Sequence, residues 1–95
     1  MIRSFANTHI DTERVWDGLS SRKLPREVQQ RALAKLRLLN AATALNDLRN
    51  PPGNRLHPLA EDRVGQHSVS INDKYRICFA WKDGDAHDVE IVDYH

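Results

Sequence analysis

The chain has 95 residues, of which 40% are hydrophobic and 28% charged, so we expect one soluble globular domain over residues 1–95. Lys and Arg total 14 against 13 Asp and Glu, a net charge of +1 that argues against a generic nucleic-acid coat protein. The charge is split, since residues 1–60 carry 10 basic and 5 acidic side chains and residues 61–95 carry 4 basic and 8 acidic ones.

Membrane and secreted proteins are excluded by simple patterns. No stretch approaches the roughly 20 apolar residues of a membrane helix, and Met1–Ile10 lacks the apolar core of a secretory signal. The single cysteine, Cys78, cannot form an internal disulfide, which favours a reducing compartment. We therefore expect a cytoplasmic protein without membrane contact.

The first half of the chain predicts a short strand and two helices. Ile2–Phe5 alternates like a strand, and Asp11–Leu19 is a short helix with Asp11 or Thr12 as N-cap. A long helix begins at Pro25, which suits the first helical position. Its apolar positions are Val28, Ala32, Leu36 and Leu39, and its polar side holds Arg26, Gln30 and Arg37. The apolar run Ala41–Leu48 continues this helix or adds a short one, and Asn50–Gly53 stops it.

The second half alternates with a period of two. Asn54–Leu59 is a short extended segment, and a strand through Val69 leads to a two-residue turn at Asn72 and Asp73, where positive φ is tolerated. The next strand places Tyr75, Ile77, Phe79 and Trp81 on one face, and Arg76, Cys78 and Ala80 on the other. A last strand runs through Val89 to Tyr94. The order β-α-α-β-β-β predicts an α+β fold, an antiparallel sheet with the N-terminal strand and two or three helices on one face.

Several kinds of functional site find no support in the residue pattern. No two of the five histidines lie three or four residues apart, and the lone cysteine has no cysteine partner, so we expect no metal. Ser68 and Ser70 lack the elbow sequence of a serine nucleophile. The four glycines form no phosphate-binding loop, so no cofactor is expected.

Metal-free cleavage of RNA suits the remaining polar residues. Attack by the 2′-OH needs a base, an acid for the leaving 5′ oxygen, and cations for the charged phosphorane. Histidine performs either proton transfer near neutral pH, and arginine fits phosphate oxygens. Side chains of these types are found at His57, Arg76, Tyr94 and His95, with Arg63 as a further phosphate contact.

Structural interpretations of the same residues stay open. His57 is also typical of an exposed loop, and Arg76 of an ion pair across the sheet. A C-terminal Tyr94 and His95 are often a frayed tail. The basic run from Arg22 to Arg37 is either a solvated face or a surface for RNA or an acidic partner.

The order of short motifs resembles the HigB/GraT-like killer toxins of bacterial type II toxin–antitoxin systems, in the RelE/ParE superfamily. The motifs span nearly the whole chain: 1–5 (MIRSF), 51–56 (PPGNRL), 56–59 (LHPL), 62–69 (DRVGQHSV), 75–79 (YRICF) and 90–95 (EIVDYH). The resemblance implies a compact RelE-like fold that cleaves mRNA on the ribosome. It also implies neutralisation by a HigA-like helix-turn-helix antitoxin, through which alone the toxin reaches operator DNA.

The resemblance assigns catalytic roles by position to His57, Arg76, Asp93, Tyr94 and His95. Arg76 would hold the scissile phosphate, Asp93 would orient a catalytic neighbour, and either histidine would be acid or base. The predicted RNA-binding residues are Arg63, His67, Arg26 and Arg37. Related toxins can carry a lysine where this chain has Ala60, which removes a transition-state cation. The alternatives are a non-catalytic growth inhibitor of the same fold, such as a ParE-like gyrase poison or a ribosome binder, and a subunit that binds only its antitoxin.

Overall fold

The computed structural model describes residues 1–6, 10–59 and 65–93. Its centre is an antiparallel sheet with strand order β1-β2-β3-β4. The strands are β1 (His57–Pro58), β2 (Gln66–Ser70), β3 (Tyr75–Lys82) and β4 (Asp85–Asp93), and the helices are α1 (Thr12–Trp16) and α2 (Arg26–Ala41). Both helices contribute to one core against one face of the sheet. The predicted α+β class is confirmed, and no helix in the described part of the chain is long and apolar enough to cross a membrane.

Strand β3 divides the molecule into two sides. Tyr75, Ile77 and Phe79 are buried in the core with the apolar side of α2. Because successive side chains of a strand point to opposite faces, Arg76 and Cys78 project away from the helices. We call that side of the sheet the distal face, and the other the helix face.

A bulge in β4 adjusts this alternation. Cys78 pairs with Glu90, but Ala80 pairs with His87, so Asp88 and Val89 together lie opposite Phe79. Asp88 accommodates the extra residue with a φ of 52°. The bulge allows Val89 and Ala86, three residues apart, both to be buried in the core.

The predicted N-terminal strand is an extended segment beside β4. Ile2 and Phe5 form bridges with Ala86 and Val89, and both bridges are parallel. The Ile2 amide also donates to Asn40 Oδ1 of α2 at 2.9 Å. The segment therefore joins the sheet edge to the long helix.

Three predicted local features differ from the structure. The short helix is α1 rather than Asp11–Leu19, because the chain reverses at Gly18, whose φ is 82°, although Asp11 is its N-cap as expected. Pro25 precedes α2 with an extended ψ of 145°, so the prediction that it is the first helical residue was wrong.

The predicted two-residue turn was also wrong. Four residues, 71–74, separate β2 from β3, and the positive φ values of the described non-glycine residues lie elsewhere. Asn72 Oδ1 instead accepts from the amides of Lys74 at 2.9 Å and Tyr75 at 2.8 Å. This side-chain turn takes the place of a left-handed backbone turn.

Asn54 anchors the connector that leads from the helices to β1. It lies at the end of the 3-10 turn Pro52–Asn54, which follows the 3-10 helix Leu45–Arg49. Its side chain, 1% exposed, donates to the carbonyls of Leu48 and Asn50, each at 3.1 Å. Its Oδ1 accepts from Lys35 Nζ of α2. These bonds fix where β1 begins, three residues later.

We expect Asn54→Ala to lower the free energy of unfolding by about 2–3 kcal/mol, because buried partners lose their hydrogen bonds. Urea denaturation followed by circular dichroism measures the change. The exposed Gln30→Ala on α2 is the control, with an expected change below about 0.5 kcal/mol. Equal effects of the two substitutions would show that Asn54 does not anchor the connector.

Candidate active site

His57 and Arg76 lie on the same face of the sheet. His57 pairs with Ser68, Ser68 with Cys78, and Cys78 with Glu90, so these four residues form one row on the distal face. Arg76 is in the adjacent row, between Ser70 and Val92. Two strand spacings, about 10 Å, separate β1 from β3. A phosphodiester fits in this gap between the His57 imidazole and the long Arg76 side chain.

Arg76 is held in place by its neighbours on the distal face. It is half-buried, and its Nη1 donates to Ser68 Oγ at 2.7 Å. Neither direct cross-strand partner, Ser70 or Val92, carries a charge. A planar guanidinium carries several N–H donors in a geometry that matches phosphate oxygens.

Glu90, Ser68 and Cys78 are members of this site that the sequence analysis missed. Glu90 is 6% exposed, and Ser68 and Cys78 are also buried. The alternation of Glu90 with Val89 and Ile91 indicates on which face of the sheet Glu90 lies. It does not indicate that the Glu90 side chain is buried. A buried carboxylate in the row next to Arg76 limits the net positive charge of the distal face.

Asp93 does not lie in the rows of His57 and Arg76. It ends β4 opposite Tyr75, which is a helix-face residue. Its Oδ2 is 3.8 Å from Lys74 Nζ in an exposed ion pair. Tyr94, His95 and Arg63 lie outside the described residues, so the catalytic roles of Tyr94 and His95 and the phosphate contact of Arg63 stay predictions.

The helix arginines are on the far side of the molecule. Arg26 and Arg37 are exposed, whereas the α2 residues that contact the core are Val28, Ala32, Leu36 and Leu39. The whole helix layer therefore separates these two arginines from Arg76. An RNA that contacts Arg76 and also these two helix arginines must therefore extend around the protein.

His67 is on the helix face at the β1 edge of the sheet. Its register partners are Pro58 and Phe79, and the His67 and Phe79 ring centroids are 6.1 Å apart. Burial lowers the pKa of the His67 imidazole below its usual value of 6.5. The ring is therefore mostly neutral at pH 7. Over residues 1–6, 10–59 and 65–93, no three His, Cys, Asp or Glu side chains form a group able to hold a metal ion.

Comparison with known proteins supplies the family. The family model described as the RelE-like toxin of the type II toxin–antitoxin system HigB matches residues 4–95. The chain belongs to the HigB-like toxin family. The resemblance inferred from its motifs is thereby confirmed.

Two relatives of the chain carry names that agree with this family. Toxin HigB-1 of Vibrio cholerae is 40% identical over 68 residues, which cover 72% of each chain. Endoribonuclease HigB of Proteus vulgaris is 30% identical over 95 residues, the whole of both chains. An uncharacterized protein of Haemophilus influenzae is 26% identical over 72 residues, covering 76% of this chain and 71% of the relative.

The neutral state of His67 is measurable by NMR titration. Folding lowers the pKa of the His67 ring, so the neutral ring contributes to the free energy of unfolding. This contribution is fully present above the pKa that His67 has in the unfolded chain, and it is lost as the pH falls through the pKa that His67 has in the folded protein. We expect its ring protons to titrate with a midpoint below 6.5, and His67→Gln, which removes the signal, assigns it. A midpoint at or above 6.5 would contradict the effect of burial.

Proposed function

We propose that the chain is an endoribonuclease toxin that cleaves mRNA on the ribosome by attack of a ribose 2′-OH on the adjacent phosphate. The observation that carries this proposal is that His57 and Arg76 both lie on the distal face. The helices α1 and α2 pack against the opposite face of the sheet. The full-length similarity to a relative named an endoribonuclease supports it.

The proposed reaction needs proton transfer and charge stabilisation. The 2′ oxygen bonds to phosphorus and the bond from phosphorus to the 5′ oxygen breaks, which leaves a 2′,3′-cyclic phosphate and a 5′-hydroxyl. Arg76, oriented by Ser68, binds the phosphate and stabilises the charge that develops on it. His57, exposed on β1, transfers a proton at one of the two oxygens. No step in this scheme requires a metal.

Residues outside the two distal rows complete the proposed site. His95 transfers the other proton, Tyr94 contacts the nucleotide, and Asp93 orients one of these groups. Arg63 and His67 contact the mRNA. These assignments rest on the family resemblance and on the chemistry of the side chains.

The proposed partners are the ribosome and an antitoxin. Arg26 and Arg37 lie on the exposed basic side of α2, where they can contact ribosomal RNA while the distal face meets the message. A net charge of +1 suits a protein that meets RNA already presented by a ribosome. The antitoxin is a HigA-like helix-turn-helix protein that alone connects the toxin to operator DNA, and the place of action is the cytoplasm.

We expect Arg76→Ala to slow cleavage of mRNA on programmed ribosomes by at least about 100-fold, because a cation at the phosphorane is lost. Primer extension on a defined message measures the rate. Lys82→Ala, an exposed cation on the same strand, is the control and should cleave at the wild-type rate. Wild-type cleavage by a folded Arg76→Ala would refute the assignment, and an Arg76→Ala chain that is unfolded by circular dichroism would show that the arginine is structural.

Dependence on the ribosome is tested with the same message free in solution. We expect cleavage of free mRNA to be at least about 100-fold slower than on programmed ribosomes, because the ribosome supplies the positioning that the small charge does not. Equal rates on both substrates, or strong salt-dependent binding to free RNA, would contradict ribosome dependence.

A further inference from the structure

A pocket lies on the helix face, across the edge strand from His57. It has a volume of about 330 Å³ and is open to solvent. Its lining residues come from the 3-10 helix, the connector, β1 and β2: Leu45, Asn46, Arg49, Leu56, Pro58 and His67. We call it the edge pocket.

One part of the edge pocket suits a flat, partly apolar group. Leu45 and Leu56 pack against the core and are half-buried, so their positions are fixed. His67 is held by Phe79 and its neutral ring lines the pocket beside Pro58. Aliphatic and aromatic side chains of this kind form stacking surfaces for nucleobases.

Another part of the edge pocket suits an anion. Arg49 is exposed, and no carboxylate of a described residue lies within ion-pair distance of it. The nearby Asp47 turns its Oδ2 to the Thr43 and Ala44 amides, each at 3.1 Å, and to Thr43 Oγ1 at 3.2 Å. Among the described residues no carboxylate therefore competes with a phosphate for the Arg49 guanidinium.

The edge pocket and the candidate active site lie on opposite faces of the same edge strand, β1. His57 and Pro58 are consecutive, and their side chains point to opposite faces of a two-residue strand at the edge of the sheet. A polymer bound at His57 can pass around this edge without crossing another strand. An RNA chain has the base and phosphate that the two parts of the pocket require.

We propose that the edge pocket binds one nucleotide of an RNA strand that continues from the cleavage site, with its base against His67, Leu56 and Pro58 and its phosphate at Arg49. The identity of this strand as the message being cut rests on the proposed function. The binding of a nucleotide in the edge pocket does not depend on that function.

Binding is tested by titrating the isotope-labelled protein with 5′-AMP, adenosine or inorganic phosphate and recording amide and histidine-ring NMR shifts. We expect 5′-AMP to shift the edge-pocket residues with saturation in the millimolar range, typical of a mononucleotide making few contacts. Adenosine and phosphate should each bind at least about tenfold more weakly, because each lacks one of the two contacts. No shift with 5′-AMP, or equal shifts with phosphate alone, would overturn the proposal.

Arg49→Ala tests the phosphate contact. We expect it to weaken 5′-AMP binding about tenfold, because a charge-assisted hydrogen bond is lost. Arg14→Ala is the matched control, because Arg14 is an exposed arginine on α1 that does not line the edge pocket. Equal affinity of wild type and Arg49→Ala would show that Arg49 does not hold the phosphate.

Cleavage on programmed ribosomes separates this proposal from the proposed function. We expect Arg49→Ala to raise the toxin concentration for half-maximal cleavage several-fold, about 3- to 10-fold, with an unchanged rate at saturation. Cleavage without 5′-AMP binding would refute the edge pocket alone. Binding of 5′-AMP by a protein that cuts no message would refute the nuclease and leave the pocket.

Discussion

The alternation of β3 is the constraint on which the rest of the arrangement depends. Tyr75, Ile77 and Phe79 are buried against the helices, so Arg76 and Cys78 must face the other way. A slip of one residue would place the Arg76 guanidinium among apolar side chains without compensation, at a cost of several kcal/mol. Packing of the core therefore determines which face carries the cation.

The edge of the sheet supplies the second half of the site. Strand β1 has two residues, and it is fixed by the buried side chain of Asn54, which joins the connector to α2 through Lys35. Through this anchor the helix layer positions His57 in register with Ser68. The same short strand separates the distal face from the edge pocket, so a small number of connector residues serves both sites.

The elements with strong periodicity could be predicted from the sequence. The buried side of α2 and the two faces of β3 follow from the spacing of their apolar residues, and the structure agrees with both. The placement of Arg76 away from the core followed directly from that alternation. Family motifs added the functional interpretation of His57 and Arg76.

Features that depend on tertiary contacts could not be predicted in this way. The Asp88 bulge, which lets Ala86 enter the core, leaves no period of its own in the sequence. The turn after β2 uses the side chain of Asn72 as a hydrogen-bond acceptor. Asn and Asp favour both this turn and a tight two-residue turn, so the residue types do not distinguish the two. The burial of Asn54 and Glu90 and the walls of the edge pocket arise from segments distant in sequence.

The most direct test of the account is a map of mRNA 5′ ends shortly after the protein is induced in cells, with and without enzymatic phosphorylation of those ends. Attack by the 2′-OH predicts new ends within coding regions that carry a 5′-hydroxyl and are captured only after phosphorylation, and Arg76→Ala should produce none. Full growth arrest with intact messages, or new ends that already carry a 5′-phosphate, would contradict cleavage by the distal face.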